Sequence, residues 1–432
     1  MSNSRENVKN HFKKIFFSTL YFLRYIFYSV VIGVVVGLVG AAFYHCMHLA
    51  TGLRNTYSWI HYLLPIGGLI IVGDNYLFKD RAPQGTNLIL KSVRDEEHIP
   101  IKVAPLIFID TVLTHLFGGS AGREGAALQL GGSIGSFIGK ILKSSRINRK
   151  ILTLCGMSAA FSALFGTPLA AAIFALEVVN VGSVYYSALV PCCLSSIIAH
   201  LVALELNVAP ELFNITGIPE LGALSIGKVI LLALLCAVVS IFFCKMLHLA
   251  KYVLTKYLKN PFLRIFIGGT LIVLLTLIIG SRDYLGAGMH IIEDCITGGM
   301  SPIAYAFLLK MIFTAITLGS GFCGGEIVPS FFIGATFGAV VGPLLGLDVS
   351  FAAAIGMLCV FCGVTNCPIS TLIISFELFG FTGAALFFIA ISVSYLISGR
   401  ESLYSTQHII DPKFGIDFEN NDTQETPASI AE

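Results

Sequence analysis

Apolar residues in this chain come in blocks and do not alternate with polar ones. Val30 to Phe43 and Val229 to Cys244 are almost uninterrupted apolar stretches. Strands of a transmembrane barrel alternate between lipid-facing and lumen-facing positions, so these blocks predict membrane helices instead. Many blocks are shorter than the roughly 20 residues that span a bilayer, because Gly and Pro interrupt them. The stretches 118–139 and 319–345 are especially rich in glycine. Broken backbone at membrane depth is tolerated only where it is buried in protein or lines a cavity. It is the usual pointer to an ion site.

Composition narrows the class. Of 432 residues, 56% are hydrophobic and only 12% are charged, about half the roughly 25% of an ordinary globular chain. Soluble, secreted disulfide-rich, nucleic-acid-binding and disordered classes are excluded. The predicted fold class is an all-α polytopic membrane protein with membrane lipid as its surroundings. A net charge of +2 gives no reason to expect a nucleic-acid partner. The eleven cysteines lie almost entirely inside apolar runs, where a thiol acts as a small hydrophobe. Cys359 and Cys362 form a lone CxxC without a second pair, so packing is the expected role. His45 and His48 share a helix face and read as structural. No metal or cofactor is expected.

Charge sets the expected orientation. Arg5, Lys9, Lys13 and Lys14 form one basic cluster; Lys140, Lys143, Arg146, Arg149 and Lys150 form a second; Lys251, Lys256, Lys259 and Arg264 form a third. The stretches 45–60, 207–227 and 282–302 carry few positive charges. The positive-inside rule places the clusters and both termini in the cytoplasm, as in a multi-pass protein of the cell membrane. Basic residues precede the first apolar run without a small-residue cleavage site, which predicts a first membrane helix and not a removed signal. The expected division is a cytoplasmic segment 1–15, a first membrane half 16–206, a connecting loop 207–227, a second half 228–408 and an acidic, disordered tail 409–432.

The halves repeat. Gly156, Met157, Phe161, Pro168 and Glu177 reappear as Gly356, Met357, Phe361, Pro368 and Glu377, all at an offset of 200. Upstream, Gly131, Gly135 and Gly139 reappear as Gly334, Gly338 and Gly342. Small-residue packing of membrane helices produces isolated matches, but not this ordered set. A duplicated unit with broken helices predicts a site near the midplane, where the repeats meet.

Two segments carry the chemistry. Gly118-Gly-Ser-Ala-Gly-Arg-Glu-Gly125 places an Arg and a Glu at membrane depth, where each is costly unless paired or solvated. A helix beginning near Glu124 aims free N–H groups and its positive dipole end at an anion. The Glu124 carboxylate competes for that same place and leaves it when protonated. The alternative is an Arg123–Glu124 pair that only ties helices together. The counterpart is Gly319-Ser-Gly-Phe-Cys-Gly-Gly-Glu-Ile-Val-Pro329, with Pro329 suited to a first helical turn. N–H groups around Glu326 and Ile327 would face those near Glu124. Two such N-termini bind an anion weakly enough to release it. Asn87, in Gln84-Gly-Thr-Asn87, is a third polar break.

With these elements in order over residues 20–408, the chain resembles the CLC chloride channels and chloride/proton exchangers. Gly122-Arg-Glu-Gly125 resembles the family's GREGP, with Ala126 in place of proline. Gly325-Glu-Ile-Val-Pro329 stands where the family has GxFxP, Leu403-Tyr404-Ser405 where it has its tyrosine, and Pro83-Gln-Gly-Thr-Asn87 where it has GSGIP. The resemblance implies an inverted repeat and a homodimer with one pore per subunit. It implies that Glu124 is the gate and that Tyr404 offers its hydroxyl to the central anion. Amides near Arg123 and Gly125, and at Glu326, Ile327 and Val328, would line the anion sites, with Gln84 near the place of the family's serine. Val178 stands where exchangers carry an inner proton-passing glutamate.

The expected function is therefore anion transport, not enzymatic catalysis, with chloride as the main anion, fluoride as the alternative and protons as possible co-substrates. Gln84-Gly-Thr-Asn87 and Gly325-Glu326 resemble the fluoride-exporting branch, which commonly has threonine at the place of Val328. Fluoride is the smaller and more strongly hydrated ion and needs more hydrogen-bond donors, and the Val328 side chain supplies none. A remote alternative from another class is an intramembrane protease using Ser158 with His200 as base.

Overall fold

The computed structural model describes residues 2–78, 85–95, 99–411 and 413. The first half contains α1 (Ser2–Thr56), α2 (Leu64–Leu77), α3 (Thr86–Asp95), α4 (Val103–Phe117), α5 (Glu124–Ile141), α6 (Arg146–Phe165), α7 (Pro168–Glu177) and α8 (Leu189–Glu205). The second contains α9 (Ala223–Tyr257), α10 (Pro261–Ile279), α11 (Met289–Ile296), α12 (Ala306–Ser320), α13 (Ile327–Leu344), α14 (Val349–Thr365), α15 (Pro368–Phe379) and α16 (Ala384–Ile397). Two-residue strands β1 (Asn180–Val181) and β2 (His408–Ile409) pair in parallel. Among the described residues, six segments are long and apolar enough to cross a bilayer, including Ala223–Tyr257 and Ile327–Leu344. Others fall short. α4 and α12 have 15 residues each, or about 22 Å of helix against about 30 Å of hydrocarbon.

The glycine ladder marks places where backbones touch. A methyl group at Gly131 would sit 2.1 Å from the Gly156 carbonyl oxygen, and one at Gly334 would sit 2.2 Å from that of Gly356. These positions join α5 to α6 and α13 to α14, closer than any larger residue permits. The offset also appears at the seam between the halves. Pro168 and Pro368 both open a helix, where the missing N–H costs nothing. Glu177 ends α7 and accepts hydrogen bonds from the amides of Ile369 and Ser370 in α15. Glu377, in α15, accepts them from Leu169 and Ala170 in α7. Such reciprocal contacts define a local two-fold relation between the halves.

Two expected boundaries differ. α1 runs unbroken from Ser2 through position 15, so the helix itself carries no mark of that expected limit. α9 begins at Ala223, inside the expected loop 207–227. Ile409, placed in a disordered tail by composition, pairs with Val181; residues 414–432 of that tail lie outside the described residues. The segment between α8 and α9 is tied to both halves. The Glu211 amide donates to the Phe165 carbonyl, Phe213 to that of Leu378, and Thr216 to the Ser350 hydroxyl.

Candidate functional site: the meeting point of two broken helices

α4 and α12 each stop at a glycine, Gly118 and Gly321. The chain then crosses a short stretch before α5 and α13 begin. These stretches lie antiparallel to each other. The Gly122 amide donates to the Gly325 carbonyl and the Gly325 amide to that of Gly122, both at 2.7 Å. A methyl at Gly325 would lie 2.5 Å from the Gly125 nitrogen, so only glycine allows this approach.

The N-termini of α5 and α13 are thereby brought together in the interior. Their preceding residues, Arg123 and Glu326, do not cap them with their side chains. First-turn N–H groups have no partner within a helix, and they carry the positive end of its dipole. Gly125 lies in the first turn of α5, and Ile327 and Val328 in that of α13, all buried.

Glu124 is fully buried. Its Oε2 accepts a hydrogen bond of 3.0 Å from the Arg123 amide. Its Oε1 lies 3.5 Å from Arg123 Nε and, among the described residues, accepts no hydrogen bond. The carboxylate is thus folded back onto the start of its own helix. Arg123 turns its outer end away, to Glu211 at 2.8 Å. A simple Arg123–Glu124 tie is therefore incomplete, since the guanidinium is shared.

Glu326, itself half-buried, brings a second carboxyl to the same place, with its Oε2 shielded from solvent. Its Oε2 makes no hydrogen bond among the described residues. Both this atom and Thr86 Oγ1 lie 3.3 Å from where a side chain on Gly125 would begin. Tyr404 is buried, and Glu326 and Glu124 are among its electrostatic neighbours. Asn87 points its Oδ1 at Thr406, accepting from the hydroxyl at 3.0 Å and the amide at 3.3 Å. Gln84 lies outside the described residues.

Sequence reasoning missed Thr86, Glu211, Thr406 and Gln407. Thr86 was legible as the neighbour of Asn87, and Thr406 and Gln407 as neighbours of Tyr404; Glu211 had no motif at all. Gln407 is fully buried. Its Nε2 donates to the carbonyls of Val178 and Thr365, both at 2.9 Å, and its Oε1 accepts from Asn366 at 3.1 Å and Ser402 at 2.8 Å. The protease alternative finds no geometry. Ser158 donates to the Cys155 carbonyl at 3.0 Å and sits 3.2 Å from the Ser195 hydroxyl, whereas His200 lies beside Gly166.

Fold and site together define a polytopic helical protein in which two helix N-termini meet in the interior, between repeated halves. The family described as voltage gated chloride channel matches residues 74–399, and the chain belongs to this CLC family. It is 33% identical over 394 residues to the "Chloride/fluoride channel protein" of Pseudomonas syringae pv. tomato, covering 90% of this chain and 87% of that relative. It matches the crystal structure of a CLC-type fluoride/proton antiporter with a TM-score of 0.87 and 34% identity, over 90% of this chain and 98% of that one. A slow cyanobacterial Cl−/H+ antiporter shares the fold at a TM-score of 0.75 and 19% identity, over 87% and 94% of the two chains. The two halves are the inverted repeat of the family, and the chain is an anion transporter.

Proposed function

We propose that anions cross this protein between the N-termini of α5 and α13, and that Glu124 is the gate. One observation carries the reading: a buried carboxylate folded onto the Arg123 amide, at the positive end of α5. An ionised Glu124 fills the place of an anion there. Protonation removes its charge, and an anion takes over the amides. No bond to the anion is made or broken, so the activity is transport and not catalysis. Tyr404 contributes a hydroxyl. Asn87, whose oxygen is engaged by Thr406, offers the NH2 end of its amide. The protein works as a homodimer in the plasma membrane, with both termini in the cytoplasm.

Chloride is the main anion of this reading, because Val328 adds no donor beyond the backbone. A specific observation favours fluoride as the second reading: Glu326 places another hydrogen-bond-free carboxyl oxygen beside Gly125. A protonated carboxyl is a strong donor for a small, strongly hydrated anion. Two relatives of 33% and 34% identity carry fluoride in their descriptions. Reconstituted liposomes with chloride or fluoride as sole permeant anion decide between them, with ion-selective and pH electrodes read together. Faster chloride flux supports the main reading; fluoride flux severalfold faster, with matching proton movement, supports the second. Absence of flux for both anions overturns the proposal.

A further inference from the structure

Arg123 stands between two carboxylates. Its Nε is 3.5 Å from Glu124 Oε1, and its Nη2 donates to Glu211 Oε1 at 2.8 Å. Side-chain exposure rises from 0% at Glu124 through 15% at Arg123 to 26% at Glu211. Three charges thus lead from the buried gate to the surface. Glu211 is fixed by its own backbone, whose amide donates to the Phe165 carbonyl at 3.2 Å. The guanidinium rests on the Tyr44 ring, 5.0 Å from its centre. On α1, His45 meets that ring edge-on and His48 stacks on it. On α8, His200 lies beside Gly166 with Pro210, the residue before Glu211.

An arginine free of other partners closes on a carboxylate with two parallel hydrogen bonds. Arg123 does not do so with Glu124: 3.5 Å is an ion-pair distance, beyond good hydrogen bonding. Its outer edge is held by Glu211. We propose that Glu211 is a positioning residue for the gate, holding Arg123 by its far end so that Arg123 grips Glu124 loosely enough for the gate to open. This role rests on the reading of Glu124 as the gate. Without the Glu211 charge, the whole charge of Arg123 bears on one carboxylate. Ionised Glu124 is then held more firmly, and opening requires a more acidic solution.

The test uses the full-length protein in liposomes, with anion flux measured against pH. Glu211→Gln keeps an oxygen that can accept from Arg123 but loses the charge. The half-maximal pH should fall by about 0.5–1 unit, which lowers flux at neutral pH about 3- to 10-fold. Glu211→Asp should restore most of the profile. In a Glu124→Gln background, Glu211→Gln should add no shift. A Glu211→Gln profile that superimposes on the wild type overturns the proposal. So does a shift that survives in the Glu124→Gln background, which is what titration of His45, His48 or His200, of His115 on α4 or of Glu326 at the start of α13 would produce. If Glu124→Gln alone leaves the pH dependence intact, the gate reading itself fails, and the role of Glu211 falls with it.

Discussion

Glu177 and Glu377 cap each other's helices across the seam between the two halves. Each carboxylate receives two backbone N–H groups from the first turn of the other's helix, at 2.8–3.0 Å. Hydrogen bonds to a charged group contribute about 1.5–3 kcal/mol each. Glu177→Ala removes two of them and should destabilise the protein by about 3–6 kcal/mol, read as a lower unfolding temperature in detergent. Glu177→Gln should cost less, because one oxygen still accepts. Equal melting of all three proteins would show that the caps contribute little.

On the gate reading, Glu124 occupies the start of α5 only while it carries charge. Glu124→Gln should abolish the pH dependence of flux while anions still pass, since the helix N-termini remain. Flux recorded from pH 4.5 to 8 checks this. A mutant as pH-sensitive as the wild type would leave Glu124 with a structural role only.

Tyr404→Phe removes a hydroxyl but no charge and little volume. Anion affinity measured by calorimetry should fall by the equivalent of one hydrogen bond, about 0.5–3 kcal/mol. Unchanged affinity would take Tyr404 out of the site.

Val328 is buried in the first turn of α13. Val328→Thr is nearly isosteric and adds a donor where an anion sheds water. The ratio of fluoride to chloride flux should rise in the mutant. A fall in that ratio would mean that the Val328 side chain faces away from the anion.

Much of this was legible in the chain because glycine and proline leave marks that side-chain packing does not. The ladder from Gly131 to Gly139 and its copy announced the duplication; that the same glycines seat α5 on α6 and α13 on α14 appears only in the fold. Gly122-Arg-Glu-Gly125 marked the place where α5 begins beside the Gly325 segment, because a carboxyl at membrane depth stands out. Glu211 was not legible: it is an ordinary acid in a polar segment, and only folding brings it across 88 residues to Arg123. The partnership of Asn87 with Thr406 spans 319 residues and was equally hidden.

The knot at Gln407 bears on how the protein is made. The ribosome delivers Arg123 and Glu124 before the Gly325 segment, and Gln407 after both. Gln407 reaches Val178 of the first half together with Thr365 and Asn366 of the second. The same stretch of chain sets Tyr404 in the interior near Glu326 and Glu124. A partly synthesised molecule thus holds the first helix N-terminus without its opposite number, and later both without their final fastening. A cell making this protein inserts many apolar helices well before it owns a working leak for ions.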